Sequence, residues 1–407
     1  MSQHVCMVLP DSFPPDVRVE KEVRALAADG HDVTVLCRGD GSAPTRETVA
    51  IDGVAVDVER VRRETPVKRA ANVASAAIDV AVGVHPRWLA AVEHVVSRTD
   101  ADALHVHDLP LVRTATFAAR RHEIPVVADL HENYPEAVRQ WRREAPAVMD
   151  APLVALKRAL VPISRWKRRE RRALAGVDHV LTVVEEAREH YVADCGLDAA
   201  DVSVVSNTVA RDDFDPERAA ARDSVTSDDA FTATYVGGFG PHRGLETAIR
   251  ALTHSDDVEL LLVGDGPLAE ALRALAADCG VTERVTFTGW VERDAVPGYL
   301  AASDACLVPH AATPHTETTI PHKLFQYMAM EVPVVVSDLA PLRRVVMDAD
   351  AGAVTPPGDD AALADTLATL AHNPERAARH GANARAAVEE EYRWARDAAV
   401  LRDVYSV

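Results

Sequence analysis

The chain is 407 residues long, 48% hydrophobic and only 5% aromatic, too long for one ordinary core and rich in the small apolar residues of layered α/β domains, so two such domains are expected. Its formal net charge is −19, and Lys21, Lys68, Lys157, Lys167 and Lys323 are the only lysines. That balance disfavours nucleic acid as a partner and suits a solvent of high ionic strength, where self-repulsion is screened. The sequence shows no apolar run of membrane-spanning length and no basic leader with a cleavage site, so a cytoplasmic protein is expected, soluble or peripherally bound to a membrane. Its five scattered cysteines lack CxxC spacing and read as reduced thiols.

HVCMVLP (4–10) reads as a buried parallel strand, followed by a Pro-containing loop, a helix over 17–28 with Val19, Val23, Leu26 and Ala27 on one face, a stop at Gly30 and a second strand over 33–37. A third strand is predicted over 54–58, and a loosely helical pattern follows over 60–88. ADALHVHDLP (101–110) carries His105 and His107 to the end of a strand, and IPVVADLHENYPE (124–136) places His131 and Glu132 just beyond the next. Ligands of open parallel sheets bind outside the carboxyl ends of the strands. His107 and His131 together therefore mark a candidate site.

Residues 141–172 are the most basic part of an otherwise acidic chain, and the segment 158–172 mixes Leu160, Val161, Ile163 and Trp166 with arginines and lysine. A basic amphipathic stretch of this kind suits an anionic membrane or an acceptor surface, with Arg165, Trp166, Lys167, Arg168 and Arg169 at its centre; the alternative is a solvated helix. Further strands and a helix complete the first half. The segment 210–230 is acidic, polar and nearly free of large apolar residues, the composition of a linker between domains.

The second half restarts the pattern with a strand over 232–236 and a loop holding Gly237, Gly238, Gly240 and Gly244, whose backbone can approach a ligand closely. The loop is not GxGxxG followed by an acidic ribose ligand, which speaks against a dinucleotide dehydrogenase. VELLLVGDGP ends a strand at Gly264, Asp265 and Gly266. Strands over 285–288, 303–310 and 334–336 follow, and one long helix is expected from 375 to about 407. Ahead of the strand at 334, a polar loop at Thr318 and Thr319 leads to a helix opened by Pro321, with Lys323 in its first turn, a geometry suited to a phosphate.

YVGGFGPHRGLETAIRAL, LLLVGDGP, VTFTGWV, SDACLVPH and PHKLFQYMAMEVPVVVSD occur in the order and near the spacing of glycosyltransferase family 4, and FPPDVRVEKEVRAL, GHDVTVL, HVHD and LHENYPE of the first half are similar too. The resemblance covers nearly all of the chain outside 60–101 and 141–172. It implies the GT-B fold: two doubly wound parallel-sheet, Rossmann-like domains facing across a cleft. Residues 1–210 would form an acceptor domain, 211–230 a linker and 231–385 a nucleotide-sugar donor domain, with a last helix at 386–407 crossing back to the first.

The resemblance further implies that Arg243 grips the donor diphosphate, that backbone groups at Val291 hold the base, and that His131, with His107 beside it, lies near the transferred sugar. Two departures stand out. Gly237, Gly238 and Phe239 occupy the place of the usual Gly-Arg-Leu, and the usual pair of spaced glutamates is replaced by Thr318 and Gln326, with Glu317 displaced by one. The implied activity is transfer of a sugar from a nucleoside diphosphate sugar to a glycan or lipid-linked acceptor with retention at the anomeric carbon. No metal ion or other cofactor is expected. Two rival readings share the fold: a nucleotide-sugar 2-epimerase using His107, His131 and Glu317, and a donor-binding module without turnover.

Overall fold

The structure, a computed structural model, describes residues 2–39, 43–62, 82–144, 161–210, 213–219 and 230–406. The chain divides into two compact units, residues 1–206 with 397–407, and residues 207–396.

Unit 1 is built on an eight-stranded sheet of order β3-β4-β2-β1-β5-β6-β7-β8. Its strands are β1 (His4–Val8), β2 (Asp32–Arg38), β3 (Arg46–Ile51), β4 (Val54–Val61), β5 (Ala103–His107), β6 (Val126–Leu130), β7 (His179–Thr182) and β8 (Val202–Val204). Its helices are α1 (Val17–Ala28), α2 (Pro86–Thr99), α3 (Leu109–His122), α4 (Tyr134–Glu144), α5 (Ile163–Leu174) and α6 (Glu185–Cys195). All pairings are parallel except β3 with β4, and β1 and β5 are fully or nearly fully buried, as strands covered on both faces must be. The sheet grows to one side from β1 and to the other from β5. The carboxyl ends of those two strands therefore flank its topological switch point.

The strand β3 was not expected. It alternates between exposed and half-buried positions, so it lacks the apolar run that betrays a buried strand. Asp52 and Gly53 join it to β4 with φ of 47° and 87°, the left-handed pair of a tight hairpin turn for which Asp-Gly is the sequence signal. Helix α1 starts where predicted because the Asp16 carboxylate accepts hydrogen bonds from the Arg18 and Val19 N–H groups, satisfying two of the helix's free donors. Its buried face is wider than the apolar stripe: Arg18, Lys21 and Glu22 are as buried as Val19 and Val23, while Ala27 is half-buried.

Unit 2 holds a six-stranded parallel sheet of order β11-β10-β9-β12-β13-β14. Its strands are β9 (Phe231–Val236), β10 (Val258–Val263), β11 (Val285–Gly289), β12 (Ala305–Val308), β13 (Val334–Ser337) and β14 (Gly352–Thr355). The helices are α7 (Leu245–Ala251), α8 (Ala269–Asp278), α9 (Val296–Ala301), α10 (His322–Ala329), α11 (Ala340–Asp348), α12 (Asp360–Ala371), α13 (Pro374–Glu390) and α14 (Trp394–Tyr405). The switch point lies between β9 and β12. One core cluster joins β9 and β10 to α7, α8 and α12 through residues such as Tyr235, Leu245, Ile249, Leu262, Leu272 and Leu367, all at most 2% exposed. Each such leucine holds the unit together by about 2–5 kcal/mol, the usual cost of truncating a fully buried leucine to alanine.

The long C-terminal helix expected from 375 to 407 is interrupted. α13 ends at Glu390, and α14 begins at Trp394, whose N–H donates to Val209 O at 3.1 Å. The division between the units falls within α14, at Arg396 and Asp397, rather than near 386. The predicted segments 63–81, 145–160, 211–212 and 220–229 lie outside the described residues. The described part of the polar stretch, 213–219, buries Phe214 and is held by Arg385, which donates to Phe214 O at 3.2 Å.

Candidate functional site

At the switch point of unit 1, α1 delivers Arg18 and Glu22, β5 delivers His105 and His107, and β6 delivers Asp129 with His131 just beyond. Arg18 binds Asp129 through both nitrogens of its fork, Nε to Oδ2 at 2.8 Å and Nη2 to Oδ1 at 2.6 Å, and donates through Nη1 to Val205 O at 2.9 Å. Paired, bidentate and charge-assisted bonds of this kind are what allow full burial of both ions. Burial would raise the Asp129 carboxyl, but the Arg18 charge prevails and holds it well below the usual carboxylate range.

His131 is the accessible end of this network. Its Nε2 lies 2.7 Å from Asp129 Oδ2 and its Nδ1 3.9 Å from Asp108 Oδ1. Burial lowers its pKa, but the two carboxylates outweigh that and raise it to about 9, so His131 is an imidazolium at neutral pH. Asp108 has φ 60° and ψ 153°, a strained conformation for a residue with a Cβ, of the kind that clusters at functional sites. His107, paired with it in the sequence reading, is fully buried and lies 3.3 Å from His131 Nε2 and 3.1 Å from Asp129 Oδ2. Its contacts are with the other members of this network. His105 is buried too, and although burial lowers its pKa, Asp129 and Glu22 raise it to about 9.

At the switch point of unit 2 the chemistry is different. Gly237 follows β9 with φ 129°, and a Cβ there would lie 2.8 Å from Lys323 Nζ. The missing side chain is the room that the ammonium group occupies, 3.6 Å above the centre of the Tyr235 ring. The Tyr235 hydroxyl donates to Gly238 O at 3.0 Å and fixes the loop. Gly244 has φ 68°, and a Cβ there would meet Pro309 O at 1.8 Å, so the β9 loop abuts the end of β12 as only glycine permits. Arg243 Nη1 lies 3.3 Å from His310 Nε2, and the His242 ring stands 6.2 Å from His310 and 6.1 Å from His315.

These groups depress one another. Desolvation, then the Arg243 charge, lowers Lys323 well below its ordinary value. Desolvation with Arg243 and Lys323 does the same to His310, and desolvation with His242 and Arg243 brings His315 down to about 4. No carboxylate offsets Arg243 or Lys323 among the described residues. A cluster of cations and donors at strand ends, pulled away from their charged forms by each other, is an arrangement completed by an anion.

The other sequence-predicted residues fall around this cluster. Gly264 and Gly266 lie in the loop after β10, tied to the glycine loop by the bond from Phe239 N–H to Asp265 O at 2.9 Å. A Cβ at Gly238 or Gly240 would meet nothing closer than 3.7 Å. Val291 is half-buried beyond β11, next to Trp290, which is 75% exposed. Gln326 is half-buried on α10, one turn beyond Lys323. Thr318 and Thr319 are half-buried ahead of that helix, and the Thr318 hydroxyl donates to Pro314 O at 3.0 Å. Glu317 is half-buried, and its Oε2 accepts from the Ala340 N–H at 2.9 Å, serving a free donor at the start of α11. Sequence reasoning missed Arg18, Glu22, Asp129, Tyr235, His310 and His315. For His310 a signal existed, a polar residue at the end of the apolar run 305–309.

The described part of the basic stretch beyond α4 begins at 161 and runs through α5. Trp166 is half-buried, its indole 5.1 Å from the Tyr134 ring and under the Arg169 guanidinium at 5.2 Å. Lys167 pairs with Glu136 at 2.8 Å, and Arg165 is half-buried. Arg168, Arg171 and Arg172 remain exposed. Beside Trp166 a cavity of about 200 Å³ is lined by Trp88, Leu109, Arg113 and Arg169. Among the described residues no helix is long and apolar enough to cross a membrane.

Two family models divide the chain between them. "Glycosyl transferase 4-like domain" matches residues 15–208 and "Glycosyl transferases group 1" matches 217–387. The chain belongs to glycosyltransferase family 4. It is 27% identical to the alpha-D-kanosaminyltransferase of Streptomyces kanamyceticus over 57% of this chain and 61% of that one. It is 30% identical to the GDP-mannose-dependent alpha-(1-6)-phosphatidylinositol monomannoside mannosyltransferase of Mycobacterium tuberculosis over 60% of this chain and 65% of that one. The chain thus spans less than two thirds of the length of either curated relative. In fold it resembles sucrose-phosphate synthase from Thermosynechococcus elongatus, with a TM-score of 0.73 at 18% identity over 99% of this chain and 98% of that one. The two sheets of this family 4 chain are those of the GT-B fold.

Proposed function

We propose that the protein is a retaining glycosyltransferase whose unit 2 binds a nucleoside diphosphate sugar and whose unit 1 receives the acceptor hydroxyl. The observation that carries the reading is the cation cluster of unit 2, in which Lys323 and Arg243 stand at the sheet's switch point without a carboxylate partner among the described residues. Cleavage of the bond from the anomeric carbon to the diphosphate leaves negative charge on the departing phosphate, and fixed positive groups aimed at that charge are commonly the largest catalytic contribution. Arg243 and Lys323 stabilise the leaving group. The departing phosphate takes the acceptor's proton while the acceptor oxygen attacks the same face, which retains the configuration. The imidazolium of His131 supplies a further fixed charge on the acceptor side. Gln326 accepts or donates a hydrogen bond to a donor hydroxyl, without the strength that a carboxylate would add. The proposed chemistry runs through these groups without a metal ion.

Both curated relatives named above are transferases, which favours transfer over the epimerase alternative. A lipid-linked or surface glycan is the proposed acceptor, supported by the phosphatidylinositol mannoside named for one relative and by the exposed Arg168, Arg171 and Arg172. These residues suit a peripheral position on an anionic membrane face through charge alone. Incubation with a panel of nucleotide sugars tests the whole reading. Slow release of a nucleoside diphosphate, and transfer with retained anomeric configuration once an acceptor is found, are expected; an isomerised sugar, or binding without either product, would remove it.

A further inference from the structure

The buried network of unit 1 contains more ligating atoms than its hydrogen bonds use. Glu22, His105, His107 and Asp129 are all fully buried, and one donor atom of each lies within 4.8 Å of every other. They come from α1, β5 and β6, three packed elements, so their arrangement is set by the sheet and not by a loop. His105 and His107 are two residues apart on β5 and therefore face the same side of the strand; their ring centroids are 4.7 Å apart.

In both histidines Nδ1 is already engaged. His105 Nδ1 lies 2.7 Å from the Tyr405 hydroxyl, and His107 Nδ1 lies 3.1 Å from Asp129 Oδ2. Both Nε2 atoms turn towards one carboxylate oxygen, Glu22 Oε2, at 3.3 Å for His105 and 3.9 Å for His107. Beyond the ion pair between His105 and Glu22, neither Nε2 nor Glu22 Oε2 meets a hydrogen-bond partner. Glu22 Oε1 faces away from them, 3.0 Å from Arg18 Nε. Buried polar atoms are rarely left in this condition.

Histidines whose outer nitrogens bond a carboxylate or hydroxyl while their inner nitrogens converge on a carboxylate are arranged as metal ligands are. Zinc bonds to nitrogen and oxygen are about 2.0–2.2 Å long, which places neighbouring tetrahedral ligands roughly 3.3–3.5 Å apart. The separations of 3.3 and 3.9 Å lie close to that spacing. We infer that Glu22 Oε2, His105 Nε2 and His107 Nε2 form a site for a divalent transition-metal ion, best suited to zinc, with Asp129 as the outer partner of His107. Two imidazoles and one carboxylate are a donor set suited to zinc rather than to calcium or magnesium, which favour all-oxygen shells.

The site would be a structural one. Through His107 and Asp129 it would hold His131 in place, and through His105 it would fix Tyr405 of α14. It does not depend on the glycosyl-transfer reading, since its test is metal content.

The protein is expressed in minimal medium supplemented with either zinc or cobalt, purified natively, passed through a chelating resin and analysed for metal by mass spectrometry. About one equivalent per chain is expected in each case, and the cobalt form should show the visible absorption of a tetrahedral nitrogen and oxygen site. Glu22→Gln and His105→Gln should each lower the retained metal at least roughly tenfold. Wild-type protein holding less than about a tenth of an equivalent from both media overturns the inference, whatever the variants do. So does folded Glu22→Gln and His105→Gln protein that retains metal with an unchanged cobalt spectrum, because the ion would then lie elsewhere.

Discussion

The two switch points treat charge in opposite ways. In unit 1 the buried ions at the switch point face opposite ones: Arg18 is clamped on Asp129 and beside Glu22, and His131 sits between Asp129 and Asp108. In unit 2 Arg243, Lys323, His310 and His315 face mainly each other, and the depressed Lys323 and histidines record the conflict. The first arrangement holds its own geometry. The second is high in energy until an anion arrives, so binding energy and catalytic charge come from the same atoms.

Four perturbations test this contrast. The largest effect should come from Arg18→Met, which leaves Asp129 buried without its counter-ion; unit 1 should lose about 3–5 kcal/mol, measured by denaturant unfolding. If stability is unchanged, the network does not hold itself as described. Arg243→Ala should leave unfolding nearly untouched but lower turnover by about 10²–10³, the usual cost of removing one preorganised charge stabiliser; wild-type rates would take Arg243 out of the reaction.

Gly237→Ala should weaken nucleoside diphosphate binding roughly tenfold, or about 1.4 kcal/mol, because the new methyl group meets Lys323 Nζ. Calorimetry gives that value directly, and an equal affinity would show that Lys323 is not the phosphate contact.

The smallest effect concerns protons. An anion between the depressed groups raises their pKa values, so the complex binds more protons than the free protein and affinity should rise as pH falls. Net proton uptake, from calorimetry in buffers of different ionisation enthalpy, is the check; proton release would reverse the assignment. In the free protein the sign for stability is opposite. His315 has a folded pKa of about 4 against an unfolded value of 6.5, so its contribution of roughly 3 kcal/mol is present above 6.5 and lost as pH falls towards 4.

The acidic surface offers a separate check at the level of the whole chain. If the net charge of −19 reflects a high-salt milieu, as we propose, stability should rise in molar KCl; a flat or falling response excludes it.

Much of the fold was legible because its strands are buried on both faces. Apolar runs such as 258–263 and 334–336 leave little alternative to a parallel sheet, and Gly30 and Gly196 mark helix ends plainly. The exposed hairpin strand β3 escaped because its pattern is polar, although Asp52-Gly53 announced the turn. The cation cluster was half legible: glycines and Lys323 stand out, whereas His310 and His315 become partners only when β12 is laid beside β9. Arg18 and Glu22 were hidden for a different reason. Charged residues along a helix normally mark its wet face, and nothing in the spacing of α1 shows that β5 and β6 bring counter-charges to meet them.

Trp290 gives the molecule an optical handle. Trp88 and Trp394 are each 9% exposed, Trp166 is packed against Tyr134 and Trp141 is 39% exposed against the same ring, while Trp290 stands 75% exposed beside Val291. Its emission should dominate the red edge of the fluorescence spectrum and be the fraction most open to iodide or acrylamide. A purine or pyrimidine settling near Val291 would stack on or shade that indole, so quenching should report base occupancy in real time, with no label and no acceptor present.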